Sequence, residues 1–137
     1  MFDALNITST ALSAESLRLD LVANNLANAT TTKTVTGFPY QSESAILSAV
    51  PAPRRGAYEG VGQGVMVRAI VSSPAPFPKV YDPTSPLANH QGYILQSNVN
   101  LSTQMVDMAE ASQAYQANAN AFSADKNMIL KALTLGA

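Results

Sequence analysis

Residues 101–135 read LSTQMVDMAEASQAYQANANAFSADKNMILKALTL, and this stretch decides how the rest of the chain is understood. Leu101, Met108, Tyr115, Phe122 and Ile129 recur every seven residues. Met105, Ser112, Ala119, Lys126 and Leu133 fall four places after each of them. A 4–3 alternation sustained over five heptads is the seam of a helix that packs against another helix. Asn98 or Asn100 can cap its start and Gly136 can end it. At 1.5 Å per residue such a helix is a rod of about 52 Å.

The other end of the chain follows the same logic. Leu5, Leu12, Leu19 and Leu26 are spaced by sevens, and a second apolar stripe, Ile7, Ala14, Leu17 and Leu21, lies on another face. A helix that is apolar on two sides needs at least two neighbours. All eight prolines lie between Pro39 and Pro86, so helical ends flank a non-helical middle. In that middle, Gly64–Ser72 alternates as a half-buried strand, while Tyr40–Val50 and Tyr93–Leu95 are weaker strand signals. PAPRRGAYEGVGQG and DPTSPLANHQG read as loops. The fold class expected is α+β: long N- and C-terminal helices pairing as a coiled coil, with a small Pro/Gly-rich β middle. The division is an N-terminal helix and linker over 1–36, a β-rich outer region over 37–97, and a long C-terminal helix over 98–137 that pairs with 1–36.

The faces outside the seams are unusual. Only 12% of the 137 residues are charged, about half the globular norm. Residues 101–135 hold five charges (Asp107, Glu110, Asp125, Lys126, Lys131), and residues 4–29 hold three (Glu15, Arg18, Asp20). A solvated coiled coil carries Glu and Lys on its flanks; here the flanks are Ala, Ser, Thr, Asn and Gln. Small residues let helices approach closely, and amides satisfy one another without burying net charge. Asn24, Asn25 and Asn28 of LVANNLANATTT are therefore expected to face neighbouring helices, not water. With Leu5, Leu12, Leu19, Leu26, Ile7, Leu17 and Leu21 at one end and Leu101, Met105, Met108, Tyr115, Phe122, Ile129 and Leu133 at the other, they are the expected subunit-packing residues.

Chemistry is hard to find in this sequence. His90 is the sole histidine and lies in a loop, where an ordinary polar role is the simplest reading. Gly60, Gly62 and Gly64 form a GxGxG run, but a strand follows it and not the helix N-terminus that a phosphate cradle needs. Arg54-Arg55 has only Tyr58 as a stacking neighbour, and PAPFP serves as a connector. The Asn-x-Ser/Thr triplets at Asn6, Asn28 and Asn100 sit in helical contexts as chance matches or caps. Cysteine is absent, which excludes disulfides and thiolate metal sites. A net charge of −1 gives no nucleic-acid footprint, and no apolar run approaches a membrane span. The N-terminus carries Asp3 and no basic segment, so no cleaved secretory signal is expected. The reading is a non-enzyme without cofactor or metal.

TALSAESLRLDLVANNLANATTT (10–32) and NVNLSTQMVDMAEASQAYQANANAFSADKNMILKAL (98–133) resemble the terminal signatures of the bacterial flagellar rod and hook proteins. GFPYQ, PAPFPKVYDPTSP and GYILQSNVN between them resemble the proximal-rod members in particular. The chain departs from that pattern at Ser85, commonly His, and Ile94, commonly Val. The resemblance implies a structural subunit of the periplasmic basal-body rod. It would be exported through the flagellar type III apparatus, polymerise with itself and other rod proteins around the export channel, and pass torque to the hook. A subunit of another secreted tube would share polar helical termini but lack VYDPTSP and NNLANATTT together. A monomeric coiled-coil binding module would run as a single species with folded ends.

Overall fold

A computed structural model describes residues 2–51 and 63–135, the side chain of Phe2 excepted. Helix α1 spans Phe2–Ala27 and helix α2 spans Leu101–Leu135. Between them lie β1 (Glu43–Ala49), β2 (Val65–Ser72), β3 (Lys79–Tyr81) and β4 (Tyr93–Leu95). The class is α+β, with two helices and two antiparallel two-stranded sheets, β1–β2 and β3–β4.

Amide side chains set both inner helix ends. Asn100 accepts the Thr103 N–H at 3.1 Å and so caps α2. At the end of α1, the Asn28 amide donates to the Asn24 carbonyl at 3.0 Å and to the Asn24 side chain at 2.9 Å. Thr31 then donates to Asn28 Oδ1 at 3.2 Å, turning the chain away. Asn98, the other candidate cap, does something else: it accepts from Ser42 N–H and donates to Ala75 O, tying the start of β1 to the segment after β2. Gly136, Gly60, Gly62, Arg54, Arg55 and Tyr58 lie outside the described residues.

The helices pack along each other. Asn25 near the end of α1 bonds Gln104 near the start of α2, and Leu12, Leu17 and Tyr115 share one surface groove farther along. The pair is therefore antiparallel. With 35 residues against 26, α2 is the longer member. The Asn25–Gln104 register puts the start of α1 opposite about residue 127, so the last turns of α2 project beyond it.

The β1–β2 hairpin lies along α1 and is pinned at both ends. Glu43 opens β1 at Asn25, and Val65, the partner of Ala49, donates its N–H to Thr10 Oγ1 at 3.1 Å. Fifteen helical residues cover about 22 Å and six strand intervals about 20 Å, so strand length matches the spacing of the pins. The register slips between Ile46 and Leu47, where Arg68 is the extra residue. Val65 and Val67 are half-buried while Ile70 and Val71 stay exposed, because one helix covers only part of one sheet face. Strand β3 had no signal in the sequence, being three residues between Pro78 and Pro83. Its Tyr81 meets Tyr93 of β4 edge to face, ring centroids 5.3 Å apart.

At Gly64 the backbone leading into β2 runs close against α1. Its φ is +118°, and a Cβ there would collide with Thr10 Oγ1. Gly64→Ala is expected to cost roughly 1–3 kcal/mol from backbone strain alone. Urea unfolding should show this loss, and adding Thr10→Ala should not recover it, because the strained φ remains.

Candidate assembly surface

Asn25 is the hub of the molecule. Its side chain is 1% exposed, yet all four of its hydrogen-bonding positions are used. Nδ2 donates to Glu43 O and to Gln104 Oε1, each at 2.8 Å. Oδ1 accepts from the Glu43 N–H and the Tyr40 hydroxyl, each at 2.9 Å. Glu43 offers one donor and one acceptor, so the orientation of the amide is dictated by its partners. Gln104, itself buried, passes the chain on to Asp107 at 3.2 Å. One amide thus joins α1, α2, β1 and the segment leading into it.

Burial, and secondly the negative charge of Glu43, raise the Tyr40 hydroxyl above its ordinary pKa. The phenol therefore stays a donor to Asn25. Below about pH 10 both folded and unfolded chains hold this proton. Above it the unfolded tyrosine ionises first, so stability falls as pH rises through the folded value. Unfolding midpoints followed from pH 7 to 11 should be flat for this group up to about pH 10 and then drop. Tyr40→Phe should blunt that drop and cost about 0.5–1.5 kcal/mol at neutral pH.

The intramolecular seam is offset from the heptads read in the sequence. On α2 the edge turned toward α1 is Gln104, Ala111, Asn118 and Asp125, one residue before the expected Met105, Ser112, Ala119 and Lys126, or about 100° round the helix. Gln104 and Ala111 are buried; Asn118 and Asp125 are half-buried. Met108, Phe122 and Ile129 line the seam half-buried, with Tyr115 at its edge. Leu101, Met105 and Leu133 are not in it: they are 48%, 56% and 66% exposed. The physical reason is that small Ala111 permits close helix approach and Gln104 is claimed by Asn25, while the bulky residues point away. On α1 the stripe that is buried is Ala14, Leu21, Val22 and Asn25, with Ile7 and Leu17 half-buried. Leu5, Leu12, Leu19 and Leu26 are each only half-buried, Asn28 likewise, and Asn24 is exposed.

A large apolar surface results. Val106, Met128 and Leu130 are exposed as well, and only five apolar residues are buried among those described. The accessible surface is 9672 Å², against about 6,800 Å² for a compact globule of 14.4 kDa. Among the described residues there is no cluster of potential metal ligands, and no helix is long and apolar enough to cross a membrane. His90 lies exposed in the turn before β4. Ser85 accepts from the Leu87 N–H, and Ile94 of β4 is buried.

The described residues form a two-helix shaft with exposed apolar flanks, carrying a small β appendage. Family models agree at both ends: residues 5–33 match the flagella basal body rod protein model, and residues 90–135 match the flagellar basal body rod FlgEFG protein C-terminal model. The chain belongs to the flagellar basal-body rod protein family. Its curated relatives include the flagellar basal-body rod protein FlgC of Escherichia coli, 39% identical with 99% of this chain and 98% of the relative aligned. FlgC of Bacillus subtilis is 38% identical, and FlgC of Borreliella burgdorferi 36% identical, each with 98% of this chain and 97% of the relative aligned. The role is that of a structural, non-enzymatic rod subunit of the flagellar basal body.

Proposed function

We propose that the chain is a subunit of the proximal rod, where terminal helices of many copies pack as coiled coils around the export channel. The observation that carries this reading is the uncovered apolar flank of α2, headed by Leu101, Met105 and Leu133. In the rod, neighbours cover that flank together with the half-buried Leu5–Leu26 stripe of α1, and Asn24 and Asn28 meet polar groups of adjacent helices. The terminal segments 1–36 and 98–137 form the shaft, and the region 37–97 lies outside it. Partners are further copies and other rod proteins, joined by heterologous contacts that extend as a helical array. The subunit reaches its periplasmic site through the flagellar type III export apparatus and there transmits torque toward the hook. Deleting the chain tests this reading. Basal bodies should then lack a completed rod and carry no hook, and cells should not swim. Full-length rods in the deletion strain would contradict it.

A further inference from the structure

The β3–β4 sheet stands apart from the other elements. Its two strands lie beside each other and beside no residue of α1, α2, β1 or β2. We propose that Asn98 is the positioning residue that holds this sheet at a fixed angle to the helix pair, and that rod assembly requires that angle. This rests on the rod-subunit reading and names a residue on which it turns.

The sheet is carried by two connecting segments, 73–78 leading in and 96–100 leading out. They meet each other, and the approach to β1, at one side chain. Asn98 Oδ1 accepts the Ser42 N–H at 2.8 Å, and Nδ2 donates to Ala75 O at 2.9 Å and to Ser73 O at 3.4 Å. With an N–H on one side and carbonyls on the other, only one orientation of the amide satisfies its partners. The Ser73 N–H donates to Ser42 O at 2.7 Å and the Gln41 amide to Ser73 O at 2.8 Å, closing the same junction. Consecutive residues couple this clasp to the shaft: the Ser42 N–H goes to Asn98, and the next N–H, that of Glu43, goes to Asn25 of α1. Two residues beyond Asn98, Asn100 caps α2. Pro74, Pro76 and Pro78 of the incoming segment have no N–H with which to hold an angle themselves. The angle matters because two separated surfaces await cover: Tyr81, Leu87 and Leu95 on the β3–β4 unit, Leu101 and Met105 on α2. Binding through two linked surfaces is lost when their geometry forbids simultaneous engagement.

Since the chain has no cysteine, engineered thiols give a clean test. Full-length chains bearing His90→Cys in the turn before β4 and Gln116→Cys on α2, both exposed positions, are spin-labelled at the two sites. Dipolar spectroscopy between the labels should give one narrow distance distribution. Adding Asn98→Ala should at least double its width, with helix content by circular dichroism unchanged. Adding Asn100→Ala, which removes the cap and leaves the clasp, should not widen it. Without the labels, Asn98→Ala should enter basal bodies at least tenfold less than the wild type. The proposal is overturned by an unchanged width, by a wild-type width as broad as the variant's, or by equal broadening from Asn100→Ala. Loss of helix in Asn98→Ala, or its normal incorporation despite a broadened distance, overturns it as well. Absence of the wild-type chain from basal bodies would instead remove the rod-subunit reading, and with it the required angle, whatever the distances show.

Discussion

Asn25→Asp is expected to unfold the junction between the helices and the hairpin, while Asn24→Asp, one residue away, is expected to be silent. The aspartate keeps both acceptor bonds, from Tyr40 and from the Glu43 N–H. It loses both donor bonds and turns a carboxylate oxygen toward Glu43 O and Gln104 Oε1, two acceptors that lie 2.8 Å from the amide nitrogen. At a site 1% exposed, water cannot compensate. An uncompensated buried charge costs about 3–5 kcal/mol, a large part of the stability of a small domain. Asn24 is exposed and its change should stay within about 0.5 kcal/mol. Urea unfolding followed by circular dichroism measures both. Equal effects at the two positions would mean that Asn25 is not the hub.

Met105→Asp reverses the pattern. Met105 is 56% exposed in the single chain, so the free subunit should lose no more than about 0.5 kcal/mol. Once a neighbouring helix covers this position, the carboxylate enters a dry interface at a cost of several kcal/mol, repeated in every copy. Assembly should fail and swimming should be lost, with the purified variant as helical as the wild type. Normal motility would remove Met105 from the packing surface.

The two helices and strands β1, β2 and β4 were legible because heptad spacing, alternation and proline placement are local properties of a sequence. Within the chain, one half of the seam, Met108, Phe122 and Ile129, stayed where it was read, and the other half shifted by one residue, from Met105 and Ser112 to Gln104 and Ala111, for an equally physical reason. Periodicity ranks positions by hydrophobicity, and in a chain built to be covered by neighbours the most hydrophobic positions need not be those buried within the chain. Met105 and Leu133 therefore drew the pattern toward the outside, while Gln104 and Asn118 held the inside. Amides in LVANNLANATTT signalled that polar groups needed partners. They could not signal that Asn25 finds its own within the chain, since its partners stand 15, 18 and 79 residues away. Strand β3 escaped because three residues between prolines carry no period at all.

The central claim is that the outward flank of α2 is bare in the single chain and covered in the rod. Thiol labelling tests it directly, on full-length chains bearing one cysteine at Met105 or, as a control on the exposed sheet face, at Ile70. In free subunits a maleimide should label both positions fast. In isolated basal bodies, labelling at position 105 should slow by at least tenfold while position 70 stays reactive. Equal and fast labelling at position 105 in free and assembled chains would contradict the claim.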